Sequence, residues 1–229
     1  NCLAYDTAGN SAFAAVNRSL HVNASTTLLT NCTDITSPGR YLLGADIINS
    51  AIGKCINITS NDVSLDCQDH LVGGNGVAAY GIHINRATLQ DTNINVTNCR
   101  LHNWNTAGLL VQNAKNNIFS NVASNRTPFA SYGIHLNNAH NNSFTNISTH
   151  QNGYGWYIYN SNNNSFSVIA SSSNAYYGIY AYSSSQNRFI DVNVTANRNG
   201  GLLGTYVQNS TFRNIIAVND SYGLYLTNT

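Results

Sequence analysis

The chain has 229 residues, only 8% of them charged, and a formal net charge of +1. That balance excludes an extended basic surface for nucleic acid and an acidic tail, and no apolar run approaches the ~18 residues of a membrane span. All nine acidic residues are Asp, Lys54 and Lys115 are the only lysines, and 39 residues are Asn, which is poor in helix formers and rich in turn formers.

Asn10-Ser11 has the chemistry of a helix cap, and Phe13, Val16 and Leu20 would share one face of the helix that follows. The alternative is an extended strand from Leu20 to Leu29. Either reading sets residues 1–30 apart, as a cap or docking segment, from a repetitive body over 31–229. No Met occurs anywhere, which predicts a processed or trimmed start. Ser37-Pro38-Gly39 is a turn, and Tyr41-Leu42-Leu43 and Cys55-Ile56-Asn57-Ile58 read as strands of the first coils.

From Tyr80 onward a repeat dominates. Glycine followed by an alternating apolar strand recurs at Gly81, Gly108, Gly133, Gly155, Gly178, Gly201 and Gly223, at spacings of 27, 25, 22, 23, 23 and 22 residues. A second strand is locked to the first and carries Phe119, Phe144, Phe166, Phe189 and Phe212, each followed three residues later by Val122, Ile147, Ile169, Val192 or Ile215. A coil of ~23 residues cannot bury its own apolar face; stacked on a neighbour at ~4.8 Å it builds parallel sheets around a continuous core. The predicted fold is therefore all-β, a single-stranded right-handed parallel β-helix with coils of 22–27 residues. Leucine-rich, ankyrin and tetratricopeptide repeats need helices, and no 3.6-residue stripe runs through this text.

Asn117, Asn142, Asn164 and Asn187 form a turn column that breaks at Ser210, and a second polar column runs Asp66, Asn98, Asn121, Asn146, breaks at Val168, and resumes at Asp191 and Asn214. Stacked amides satisfy one another and the turn backbone. Two residues after each glycine, the outward column reads His83, Leu110, His135, Tyr157, Tyr180, Leu203, Tyr225; the residue before the glycine reads Tyr80, Ala107, Tyr132, Tyr154, Tyr177, Gly200, Tyr222. Tyr157, Tyr180 and Tyr225 are the candidate contact strip, since Tyr is amphipathic and loses little entropy on ordering; the competing reading is a Tyr wall that only stabilises the stack.

Chemistry is harder to find. A glycoside hydrolase needs two carboxylates ~5–9.5 Å apart, and the best cluster, Asp62, Asp66, Asp69 and His70, overlaps the polar column. His83 and His135 are two coils, about 10 Å, apart, too far to share a metal. The sequence thus predicts no enzyme, no catalytic residue, no metal and no cofactor. Five Cys are present. Cys99 falls in the inward column continued by Val122 and Ile147, and Cys67 falls one coil earlier, so neighbouring coils would bring them within disulfide reach. Cys32 and Cys55 flank the first turn-rich coil and are the second candidate pair, leaving Cys2 either as a candidate intermolecular thiol or as a competitor for Cys32. Twelve Asn-x-Ser/Thr sites occur, at Asn17, Asn23, Asn31, Asn57, Asn95, Asn125, Asn141, Asn146, Asn163, Asn193, Asn209 and Asn219; with the clustered Cys they favour an exported glycoprotein.

Cys32-Thr33-Asp34-Ile35-Thr36-Ser37-Pro38-Gly39-Arg40-Tyr41-Leu42-Leu43, the Cys55-Ile56-Asn57-Ile58 and Asp62-Val63-Ser64-Leu65-Asp66-Cys67 stretches, and the repeated Tyr-Gly-Ile-x-Leu and Asn-Asn-Ser-Phe-Thr-Asn motifs resemble the NosD-like right-handed parallel β-helix proteins common on archaeal surfaces. The resemblance covers residues 31–229. It implies a pectin-lyase-like fold, and the family's name implies copper delivery. The expected function is an extracellular structural or adhesive surface module. Its expected partners are cell-surface glycans or other copies; the final repeat stops partway at Tyr225-Leu226, which reads either as a docking edge for a head-to-tail copy or as the cut end of a monomeric fragment or of a module of a longer surface protein. The alternative is a carbohydrate-active enzyme or glycan-binding protein of the same fold.

Overall fold

The computed structural model describes residues 3–5, 11–13 and 26–229. Nine parallel strands stack into one sheet, from Thr33–Ile35 through Tyr80–Asp91 and Tyr132–Asn137 to Leu224–Thr227. A second, eleven-stranded sheet runs from Thr26–Leu29 to Thr211–Val218. From Tyr80 onward the two alternate along the chain, each coil contributing one strand to each, while two earlier coils give two short strands each to the second sheet, and the result is a parallel β-solenoid. Registry is held through the stack: Ile82, Leu109, Ile134, Trp156, Ile179, Leu202 and Leu224 lie one above another.

The strands of the second sheet are bent, and the bend explains the exposed polar column. Asn98, Asn121, Asn146, Val168, Asp191 and Asn214 all have φ near +54°, in the left-handed region. Strand pairing skips these residues and resumes after them, as between Thr97↔Ser120 and Cys99↔Val122. In an earlier coil the two halves are separate strands, Val63–Asp66 and Leu71–Gly74, and both pair with Asn95–His102. From Asn113 to Asn219 three further left-handed corners recur in each coil, for example Asn138, Asn141 and Gln151 around Asn146. Asn tolerates this conformation better than any residue but Gly, so four corners per coil account for much of the Asn excess.

The core is a column of rings and aliphatics. Phe119, Phe144, Phe166, Phe189 and Phe212 stack with centroids 4.6–5.3 Å apart and planes within 9°, and Trp156 meets Phe144 and Phe166 edge-on. The first four Phe are fully buried, each stabilising the stack by about 1.5–3 kcal/mol. Asn117, Asn142, Asn164 and Asn187 are also buried. Each Oδ1 accepts the backbone N–H of its counterpart in the preceding coil, as in Asn142 N to Asn164 Oδ1 at 2.9 Å, and each Nδ2 of the last two donates to a backbone carbonyl. A second buried ladder, Asn152, Asn174 and Asn197 ending at Asp220, repeats the device at another corner.

The glycine column answers to space. A Cβ on Gly81 would lie 2.7 Å from the carbonyl oxygen of Gly108, and one on Gly133 2.7 Å from that of Gly155. Neighbouring coils approach too closely there for any side chain.

Ser11–Phe13 is a strand, paired antiparallel with Leu3–Tyr5, where the sequence predicts a helix start. Pairing two short segments satisfies their backbone groups, and that outweighs a weak helix signal. Val16 and Leu20 lie outside the described residues, as does most of the alternative strand Leu20–Leu29. Thr26–Leu29 pairs in parallel with Arg40–Leu43 as the first strand of the stack.

Candidate functional site

The outer face of the nine-stranded sheet carries the most distinctive chemistry. Alternation points Ile134, Trp156 and Ile179 inward and Tyr157, Tyr180 and Tyr225 outward, and parallel register sets Tyr157 beside Tyr180, the rings tilted with centroids 5.5 Å apart. The column before the glycines joins them: Tyr132 stacks on Tyr157 at 5.0 Å, and Tyr154 on Tyr176 at 4.8 Å. Tyr225 sits one coil beyond Leu203, beside Tyr222 at 5.4 Å. A third column lies on the same face, with Tyr159 stacked on Tyr182 at 5.9 Å and Tyr182 edge-on to Tyr206 at 5.8 Å. The sequence columns missed it, although the i, i+2 spacing of Tyr157 and Tyr159 is the signal for a shared face. Phe129, on an insertion between coils, reaches Tyr176 at 4.6 Å; nothing local in the sequence marks that contact.

The wall is electrostatically quiet. Partial burial, and then the neighbouring phenols, push the Tyr157 hydroxyl up to about 12 and raise Tyr154 and Tyr180, so the face is uncharged across the physiological range.

At one end of the strip stand the histidines. Both lie in the outward column, with Leu110 between them, yet His83 is buried rather than solvated. Burial, with Lys54 and Arg86 nearby, brings its imidazole down to about 4, and burial alone does the same to His135. The tautomer of His83 follows from its neighbours. Asn57 Nδ2 donates to Asp34 Oδ1 at 2.8 Å, which turns Asn57 Oδ1 toward His83 Nδ1 at 2.9 Å. Nδ1 therefore carries the proton and Nε2 keeps a lone pair. Arg86 is taken up by the carbonyls of Ile58 and Ser60, both at 2.7 Å.

The acidic cluster suggested by the sequence comes apart. Asp62 accepts from Asn93 Nδ2 and Asp66 from Asn98 Nδ2 and the Gln68 N–H, while Asp69 is an exposed left-handed corner. His70 pairs with Asp46 at 3.0 Å, and the N–H of Leu71 together with His70 holds that carboxyl below its usual range. Among the described residues no group of three or more His, Cys or Asp is placed to hold a metal ion.

Cys32–Cys55 and Cys67–Cys99 are disulfide-bonded, with Cα atoms 4.3 and 4.9 Å apart, the spacing that neighbouring coils enforce. Cys2 lies outside the described residues, as do Asn17 and Asn23. Of the other glycosylation candidates, Asn31, Asn141, Asn146, Asn163, Asn193, Asn209 and Asn219 are exposed and Asn57, Asn95 and Asn125 half-buried. Among the described residues no helix is long and apolar enough to cross a membrane.

Comparison with known proteins bears on the fold. No curated protein matches the sequence. Among solved structures, the enzymatically active domain of tailspike protein 2 from bacteriophage CBA120 superposes with a TM-score of 0.62 at 13% identity, covering 89% of this chain and 42% of that one. The full-length tailspike protein 2 of the Escherichia coli O157:H7 bacteriophage gives 0.59 at 14% identity over 89% and 37%. The Dettilon tailspike protein gives 0.55 at 10% over 79% and 43%. The chain thus spans about two fifths of the length of these structures, and the likeness is one of fold. It corrects the expectation that the chain is not an enzyme: the same coil stack forms a domain described as enzymatically active. Catalytic groups converge across coils through the tertiary fold, so their absence as a linear motif does not mark a β-helix as inert. A profile described as a right-handed β-helix region matches residues 80–229, the span in which glycine, Phe and Asn columns recur, and on that match the chain belongs to the right-handed β-helix family.

Proposed function

We propose that this chain is an extracellular glycan-engaging β-helix, carbohydrate-binding or carbohydrate-active, and that the Tyr wall is the surface on which the glycan lies. One observation carries the reading: three adjoining Tyr columns form a contiguous, uncharged aromatic face across consecutive coils. A regular rung spacing of ~4.8 Å suits a repeating polymer laid across the coils, and amphipathic rings offer area to sugar C–H faces and hydroxyls to their polar edges. Tailspike proteins, one of them an enzymatically active domain, share this fold, which supports turnover as well as binding. The two disulfides support an oxidising, exported setting.

Narrower proposals attach to the same reading. They are a NosD-like, archaeal-type surface protein, an adhesive role, self-association of copies, glycans on the exposed sequons, and residues 1–30 as a segment distinct from 31–229. The test of the main reading is a panel of neutral and acidic oligosaccharides, followed by calorimetry and by release of reducing ends. Tyr157→Leu and Tyr180→Leu adopt the residue that the same column holds at Leu110 and Leu203, so packing is retained. Binding that weakens about tenfold in either variant supports the wall; binding unchanged in both refutes it.

A further inference from the structure

Where the Tyr wall turns the corner toward the second sheet, a shallow groove is lined by Tyr182, Tyr206, Asn162, Ser185, Gln208 and Asn209, with Ser183 and Gln186 completing it. Every one of these side chains is uncharged at neutral pH. Tyr206 stands out within it. Its backbone is left-handed, at φ 56°, in a corner column whose other members include Asn113, Asn138, Asn160 and Ser183. A bulky residue pays a steric penalty in that conformation; Tyr206 sits edge-on to Tyr182 and is 47% exposed, so part of its ring faces the groove.

The polar half of the groove is similarly disposed. Asn162 Oδ1 is committed to the Ser185 N–H at 2.7 Å, which turns its Nδ2 amide outward as a donor. Gln208 and Asn209 are exposed, and each side-chain amide offers a donor and an acceptor. An aromatic face beside paired donors and acceptors matches a pyranose, with C–H groups on one side and neighbouring hydroxyls on its edge.

We infer that this groove is a subsite for a neutral hexose unit, the end of the wall at which a glycan is fixed in register. The inference rests on the glycan reading and narrows its ligand class, since a carboxylated or sulfated sugar would find no cation among the lining residues.

The experiment uses unglycosylated protein, so that Asn209 carries no sugar of its own, and titrates hexamers of glucose, galactose and mannose against oligogalacturonate. Tyr206→Asn removes the ring and installs the residue found at Asn138 and Asn160, so the turn is preserved and the melting temperature should hold or rise. Gln208→Ala removes one exposed amide. The expected result is binding of a neutral hexamer that weakens on the order of tenfold in Tyr206→Asn, and less in Gln208→Ala. Preference for oligogalacturonate, or neutral binding that is lost in Tyr157→Leu but unchanged in Tyr206→Asn and Gln208→Ala, overturns the subsite and leaves the wall standing. A panel that binds nowhere overturns both.

Discussion

Val168 is a β-branched residue in the left-handed region, at φ 55°, and it interrupts an amide ladder. On one side Asn98, Asn121 and Asn146 each donate from Nδ2 to the preceding coil, at 2.9, 2.9 and 2.7 Å; on the other, Asn214 donates to Asp191 at 2.7 Å. Val168→Asn places an amide in the gap. The left-handed penalty of about 1–2 kcal/mol largely disappears, and one exposed hydrogen bond to Asn146 adds ~0.5 kcal/mol. Against this, Val168 is 52% exposed, so losing its partial burial costs about 1 kcal/mol. A second bond is not gained, because the Asp191 carboxylate has no proton to donate to the new Oδ1. The net expectation is about 1 kcal/mol of added stability, a rise of roughly 2–4 °C in a chain of this size. Scanning calorimetry and urea midpoints measure it. Val168→Thr keeps the β-branch and should gain nothing; Val168→Gly relieves the strain without the amide and separates the two contributions. Val168→Asn melting at or below Val168→Thr would refute the strain-and-ladder account.

Asn164→Ala strips the acceptor from the buried N–H of Asn142 and the donor from the carbonyl of Ala139, and a loss of about 3 kcal/mol or more is expected by urea denaturation; a loss under about 1 kcal/mol would mean that water replaces the amide. His83 and His135 are held near 4 in the fold against ~6.5 unfolded. Between those values the unfolded chain binds more protons, so stability is full above pH 6.5 and falls as pH drops toward 4. His135→Leu, borrowing the residue of Leu110, should flatten that slope in melting temperatures taken across the range, and an unchanged slope counts against the assignment. Cys67→Ser with Cys99→Ser opens a loop with a sequence separation of 32 and should lower stability by about 3 kcal/mol, while wild type should resist alkylation at all four paired Cys until reduced, as read by intact mass.

The repeat was legible because a solenoid writes its tertiary contacts into a linear period. Phe144 must be Phe for the same reason as Phe119 and Phe166, so column identity reveals the coil, the inward face, the Asn117–Asn187 ladder and the Cys67–Cys99 pair, whereas Cys32–Cys55 is legible only from the place of the two residues around the first turn-rich coil. The tyrosines at Tyr157, Tyr180 and Tyr225 were visible in the same way. What periodicity could not carry was decided by the stacked fold. The left-handed bend at Asn121 and its equivalents is a backbone state, and an Asn column alone does not distinguish it from a buried amide ladder. The burial of His83, the tilted contact of Phe129 with Tyr176, and the groove between Tyr206 and Gln208 arise where residues distant in sequence meet between coils. The acid cluster around Asp66 fails for the converse reason: closeness in sequence places the side chains on successive turns, the Asp62 and Asp66 carboxylates accept from Asn93 and Asn98 one coil away, and Asp69 faces solvent. In a β-helix the nearest neighbour of most side chains lies about one period along the chain, so a fold built on that period can be read from the sequence, whereas a site built across corners is set by the three-dimensional stack.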